Sequence, residues 1–262
     1  MESANEPYIV KKITRFLKPL LLNAHMKHIL KKIWNFLWHE DDIATFKGFL
    51  SLLANLAIAF IIIKFIFYPG LGFALNTDYP IVGVLSESME HQLINPCTQY
   101  NQFGECVAKD KNQYELCNQK YSNWFYVNYE TFWKECGPWY ENIDITKSEF
   151  ENYNLKNGFS KGDMLIIYGS KPENVNPGDI IVFEGNRRYP IIHRVVRKYE
   201  EEGNIYYQTK GDHNKDSIKD LSLNEEKIIH NEKTFKGKAI FWIPYLGYVK
   251  IIPTEIYKLI IN

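Results

Sequence analysis

The sequence predicts a mostly β domain carried on one N-terminal transmembrane helix and interrupted by a disulfide-stapled insertion. Three observations predict it. Residues 48–67 read GFLSLLANLAIAFIIIKFIF, as long as the roughly 20 apolar residues that cross a bilayer as a helix. Short runs rich in Ile, Val, Phe and Tyr, separated by Gly, Pro, Asn and Asp, fill the chain beyond residue 160. All four cysteines, Cys97, Cys106, Cys117 and Cys136, fall between those two regions.

Residues 1–47 form a basic amphipathic segment in which Lys11, Lys12, Arg15, Lys18, Lys27, Lys31 and Lys32 alternate with Leu, Ile, Phe and Trp at roughly helical spacing. A helix lying on the membrane surface and a cytoplasmic partner helix both fit that pattern. The span itself is assigned to residues 48–69, with Lys64 close enough to an end to snorkel. Residues 70–90 hold no Lys or Arg, so the charge bias puts the N-terminus in the cytoplasm and the rest of the chain outside. A cleaved signal peptide fits less well: the run is too long, its basic flank is far longer than a signal's, and no A-x-A site follows the run before Tyr79. For the whole chain 31 Lys and Arg balance 31 Asp and Glu, which argues against nucleic-acid binding as the main activity.

The domain is expected over residues 70–250, with an insertion at 91–157 that is rich in Asn, Gln, Tyr and Trp. On the outward side its cysteines are free to oxidise into two disulfides, with three pairings possible. Zinc is the alternative use, but the gaps lack the C-x-x-C and His-x-His spacings of a metal site, and no metal or other cofactor is expected. The aromatics Trp124, Phe125, Tyr126, Tyr129, Phe132, Trp133, Trp139 and Tyr140 serve either a small core of the insertion or a contact with the lipid interface.

Strands are expected at 164–168, 179–183, 191–196 and 205–209, and the loop GNRRYP makes an antiparallel hairpin of the middle two. Period-two alternation then sets Ile191, His193 and Val195 on one face and Ile192, Arg194 and Val196 on the other. A histidine among apolar residues is more often structural than catalytic and needs a partner. The turn TKGDHNKD, residues 209–216, offers the carboxylates Asp212 and Asp216, one of which can orient an imidazole as in a Ser-His-Asp arrangement; the same residues also suit a plain Asx turn.

Five ordered blocks, VLSESM, FSKGDMLIIYG, GDIIVFEGNRRYPIIHRVV, TKGDHN and GKAIFWIPYLGYVKI, resemble the type I signal peptidases of the archaeal and endoplasmic-reticulum branch. The resemblance covers residues 81–90 and 159–251 and leaves the insertion and the long N-terminus unmatched. It implies a serine endopeptidase that removes signal peptides after a small residue. Ser88 would be the nucleophile, His193 the general base in place of a lysine, Ser86 an oxyanion donor together with the Ser88 N–H, and Asp216 the third member. The turn looks shorter than the family's, which leaves Asp212 or Asp220 able to take that last role, with Asp212 otherwise holding the turn. Lys210 reads as a solvated strand end and His91 as an exposed loop residue. Ile81, Val84, Leu85 and Met89 are either pocket walls for the substrate or plain core.

The implied partners are preprotein signal peptides, the lipid bilayer and a secretion translocon, and the implied location is the cell membrane. A competing class is a non-enzymatic anchored β domain whose insertion binds a partner; another is a peptidase for a narrower set of membrane precursors. The closing apolar segment, residues 251–262, is broken by Pro253, Glu255 and Lys258 and is expected to rest on the bilayer, a second span being the alternative.

Overall fold

The computed structural model describes residues 46–103, 106–220 and 222–248, with side chains from Gly48 onward. The expected segments 1–47, beyond the backbone of its last two residues, and 251–262 lie outside the described residues. Two compact units are present, Met1–Tyr68 and Pro69–Asn262.

Helix α1 (Phe46–Ile62) passes through a π turn at Ile63–Phe67 into α2 (Tyr68–Leu75). The resulting apolar helix, Gly48–Leu75, is 28 residues long, long enough to cross a bilayer, and includes residues 48–69. Pro69 lacks an N–H and its ring would clash with the carbonyl four residues back; widening the preceding turn to π accommodates it without ending the helix. Phe60, Phe65 and Ile66 stand exposed along this segment, as they would on a helix solvated by lipid and not in a protein core.

Beyond the span come the short strand β1 (Ile81–Gly83) and the insertion. The insertion contains the hairpin β2 (Cys97–Tyr100) and β3 (Cys106–Lys109), the hairpin β4 (Tyr114–Leu116) and β5 (Gln119–Tyr121), then helices α3 (Tyr129–Glu141) and α4 (Lys147–Glu151). Asn128 starts α3 by accepting a hydrogen bond from Thr131 N, and Thr146 starts α4 in the same way from Glu149 N. Cys97 pairs with Cys106 and Cys117 with Cys136, at Cα separations of 5.8 and 5.4 Å. The thiols are therefore disulfides and not a zinc site. A mainly aromatic core joins Phe132, Trp133, Tyr140 and Phe150 to Leu93, Leu116 and Val196. Trp124, Phe125 and Tyr126 stay exposed.

The remaining strands are β6 (Met164–Tyr168), β7 (Ile180–Phe183), β8 (Ile191–Glu201), β9 (Asn204–Lys210), β10 (Ile228–Ile229) and β11 (Phe235–Ile243). They join β1 in one seven-stranded sheet, ordered β1-β6-β11-β7-β8-β9-β10, with every neighbouring pair antiparallel. The hairpin expected of GNRRYP is present, with Ile181 opposite His193 and Ile180 opposite Arg194. One face of the sheet packs Val84, Met89, Leu165, Ile167, Ile180 and Val182; the other packs Ile181, Phe183, Val195, Tyr207 and Ile228. Burial on both faces explains why β7 reads as an unbroken IIVF run. The mostly β architecture behind one N-terminal apolar helix is as the sequence predicts.

Candidate active site

Strand β8 carries His193, and the turn that follows β1 carries Ser88. Their side chains meet with Ser88 Oγ 2.9 Å from His193 Nε2. The other ring nitrogen, Nδ1, is hydrogen-bonded to Glu225 Oε1. Glu225 is fully buried, and its carboxylate also accepts from Thr209 Oγ1 at 2.8 Å and from the Ile218 N–H at 2.7 Å. The tautomer in which Nδ1 donates to the Glu225 carboxylate leaves Nε2 bare to accept from the Ser88 hydroxyl. Ser86 Oγ lies 3.1 Å from Ser88 Oγ. Where the Ser88 hydroxyl donates to His193, Ser86 is left as the donor of that bond.

The turn after β9 packs against Ser88. The His213 N–H donates to the Ser88 carbonyl at 2.9 Å. Gly211 passes so close that a Cβ there would come 2.8 Å from both His193 Nε2 and the Ser88 carbonyl oxygen. Only glycine lets the backbone approach that near.

Asp216 does not reach the imidazole. It is exposed, and its Oδ1 accepts from Trp139 Nε1 at 2.9 Å and from the Ser217 N–H at 2.7 Å. The turn aims Asp216 toward the insertion, and the carboxylate behind His193 comes instead from Glu225, further along the chain. Asp220 is also elsewhere: it binds Arg187 at 2.6 Å and accepts from the Ser222 and Leu223 N–H groups.

Asp212 is fully buried and holds a second network. Its oxygens accept from Arg194 Nε at 2.9 Å and Nη2 at 2.7 Å, from Tyr140 Oη at 2.9 Å, and face His91 Nε2 at 3.0 Å. Burial alone would raise its pKa, but the Arg194 guanidinium holds the carboxyl well below its usual range. His91 is buried, not exposed, and stacks on Phe132 with ring centroids 3.5 Å apart. Burial lowers its pKa and outweighs the pull of Asp212.

Lys210, expected in solvent, is 1% exposed. Its ammonium donates to the Gly211 and Asp212 carbonyls at 3.1 and 3.2 Å and lies 5.0 and 4.9 Å from the ring centres of Trp139 and Tyr140. Burial brings its pKa down to about 8. Burial likewise brings His213 down to about 4. Of the residues read as pocket wall or core, Val84 and Met89 are core, whereas Leu85 is exposed and Ile81 half-buried.

Reasoning from sequence alone missed Glu225. The segment LNEEKII holds two adjacent glutamates, and Leu223, Glu225 and then Ile228 turn inward while Glu226 faces out. The inward Leu223 two positions before it was the available signal for which glutamate is buried.

No family model matches the chain. Among curated proteins it is 33% identical over 104 residues to "Signal peptidase complex catalytic subunit SEC11" of Scheffersomyces stipitis, which is 38% of this chain and 61% of the relative. It is 34% identical over 104 residues to the protein of the same name from Lachancea thermotolerans, again 38% and 61% of the two chains. Against "Signal peptidase complex catalytic subunit SEC11C" of Homo sapiens it is 31% identical over 103 residues, 38% of this chain and 53% of that one. The chain thus spans about three fifths or less of the curated relatives it matches. A serine held by a buried histidine, on a β domain behind one apolar helix, agrees with that likeness: the chain is similar to type I signal peptidases of the endoplasmic-reticulum and archaeal type.

Proposed function

We propose that this chain is a membrane-bound serine endopeptidase that removes signal peptides from preproteins. The observation that carries the proposal is the line from Ser88 Oγ through His193 to Glu225, with the first contact at 2.9 Å. Neutral His193 takes the Ser88 proton at Nε2 as Oγ attacks the carbonyl that follows a small residue. The imidazolium so formed is stabilised by Glu225, which keeps the ring in the right tautomer and orientation. Ser86 Oγ and the Ser88 N–H stabilise the negative oxygen of the tetrahedral intermediate. On collapse the peptide C–N bond breaks, and Nε2 returns its proton to the departing amine. Water, losing a proton to His193, then attacks the Ser88 ester; as the Oγ–carbonyl bond breaks, Nε2 returns that proton to Ser88 Oγ and the signal peptide leaves with a free carboxylate.

The substrate runs extended along the edge of the sheet. Strand β1 pairs with β6 on one side and is the terminal strand of the sheet order, so its other side can accept a peptide as an added strand. Exposed Leu85 and half-buried Ile81 flank that edge and give apolar contacts for the residues before the cut. The apolar span and the basic residues upstream of it favour an anchored enzyme with its N-terminus in the cytoplasm and Ser88 on the opposite side, where emerging chains appear.

Cleavage of a radiolabelled preprotein by the full chain in liposomes tests the reading. Ser88→Ala should lower kcat by about a millionfold, as loss of a triad nucleophile does. Cleavage by Ser88→Ala at the wild-type rate would remove the proposal.

A further inference from the structure

The insertion matches none of the resemblance blocks, yet it reaches the nucleophile from two sides. Its first hairpin, closed by Cys97–Cys106, ends at Lys109, whose ammonium is paired with the carboxylate of Glu87, between Ser86 and Ser88. Its second part, in which Cys117–Cys136 ties the β4–β5 hairpin to α3, delivers Trp139 and Tyr140 to the turn of residues 210–216. Tyr140 Oη donates to Asp212 Oδ1 at 2.9 Å, and Trp139 Nε1 to Asp216 Oδ1 at 2.9 Å. The two rings also cover the Lys210 ammonium. That turn in its middle supplies the His213 N–H to the Ser88 carbonyl and sets Gly211 against His193.

We propose that the insertion is a built-in positioning element for the peptidase site, acting through Tyr140 and Trp139 on the 210–216 turn and through Lys109 on Glu87. None of these three residues touches the reacting atoms. Each holds a segment that does, and an error of about 1 Å in a nucleophile's place costs on the order of 100-fold in rate. The chemistry of the contacts suits that task. Tyr140 is completely buried, and burial holds its phenol pKa well above the usual value, so the hydroxyl stays protonated and donates to Asp212 throughout the working range. Hydrogen bonds to a charged acceptor are the strong, directional kind. The Lys109–Glu87 pair is partly exposed and contributes less, but it acts on the residue directly before the nucleophile.

The proposal rests on the signal-peptidase reading, and its test separates the two. Tyr140→Phe keeps the ring and deletes the donor. In the full chain in detergent, amide exchange at residues 211–214 should quicken in Tyr140→Phe, a result that needs no turnover. On preprotein substrate, kcat should fall roughly tenfold with KM within about twofold, while the melting temperature drops by a few degrees and the protein stays folded at the assay temperature. Lys109→Glu should cost a few-fold in kcat, and Lys109→Glu combined with Glu87→Lys should recover it, which loss of a merely structural contact would not predict. Tyr126→Ser, on an exposed side chain of the same insertion, is the control and should cleave as wild type. Unchanged exchange in Tyr140→Phe, a kcat loss matched by an equal loss of folded protein, or no recovery in the reversed pair would each overturn it. A wild type that exchanges as expected but never cleaves would instead remove the peptidase reading and leave the insertion a clamp on the turn.

Discussion

Two buried carboxylates in this domain each face an imidazole, and the pairs have different surroundings. Glu225 meets Nδ1 of His193, whose other nitrogen looks onto a serine hydroxyl at 2.9 Å. Asp212 meets Nε2 of His91, whose ring lies flat on Phe132 inside the aromatic core of the insertion. Asp212 also carries the full charge of Arg194, itself completely buried and bound to the carbonyls of Asn154, Leu155 and Gly178. Glu225 has neutral donors around it, a hydroxyl and a backbone N–H, and is not bound by a guanidinium. A carboxylate beside a histidine is therefore no mark of catalysis by itself. What separates the pairs is whether a hydroxyl stands on the far side of the ring and whether an arginine binds the acid.

The largest expected effect tests that distinction directly. Glu225→Gln retains the shape, but its amide can present N–H to the ring and favour the wrong tautomer. Turnover of preprotein should fall by about 10⁴-fold while the chain stays folded, as found when the acid of a triad becomes its amide. Equal rates for Glu225→Gln and wild type would mean that Glu225 is only a structural partner of Thr209 and Ile218.

At the other pair the loss should appear in stability. Arg194→Met leaves Asp212 buried without its guanidinium partner, held by His91 and Tyr140 and near the Lys210 ammonium, and breaking a buried pair on one side costs about 3–5 kcal/mol. The urea midpoint of the detergent-solubilised chain should drop accordingly, and Arg194→Met with Asp212→Leu should regain much of it. A midpoint that does not move in Arg194→Met would show that Arg194 and Asp212 do not stabilise one another.

The two pairs also differ in how far the sequence discloses them. The hairpin that presents His193 is legible because β-rich runs flank a turn-forming loop, and alternation puts the histidine on the inward face. Ser88 is legible because VLSESM carries the family's pattern. The partners of both are set by contacts across the fold, where periodicity is silent. Lys210 looks solvated until Trp139 and Tyr140, some 70 residues earlier, are folded over it. His91 looks like a loop residue until Phe132 is stacked on it. Asp216 had the expected residue type in the expected turn, but the fold points it at Trp139. Glu225 lies beyond any motif, beside a second glutamate of identical chemistry. Types and order are written locally, whereas the choice between neighbouring acids is made by packing.

A smaller effect comes from pH. Burial depresses the pKa of His213 to about 4, so as pH falls the unfolded chain takes up this proton first. Where the unfolded state binds more protons, stability rises with pH. The contribution of His213 is thus fully present above its ordinary value of 6.5 and declines down to about pH 4. His91 acts in the same direction; Glu90, whose pKa burial raises, acts in the opposite one. His213→Asn isolates the first of these, because an amide can still donate to the Glu90 carbonyl that His213 Nδ1 now meets at 3.0 Å. Between pH 6.5 and 4 the unfolding free energy of wild type should fall more steeply than that of His213→Asn, by up to about 1.4 kcal/mol per pH unit. Parallel curves would mean that His213 takes up its proton equally in both states.

The smallest expected effect is the sharpest test of which acid serves which histidine. Asp216→Asn removes the charge that the family resemblance would assign to the triad, yet an asparagine oxygen can still accept from Trp139 Nε1 and the Ser217 N–H. Because the side chain is exposed and its bonds survive, both stability and kcat should stay within about twofold of wild type. A loss of several thousandfold in Asp216→Asn, together with near-normal cleavage by Glu225→Gln, would mean that the turn rearranges when substrate binds and brings Asp216 to His193. The contrast between the two carboxylate–histidine pairs would then describe the resting enzyme alone.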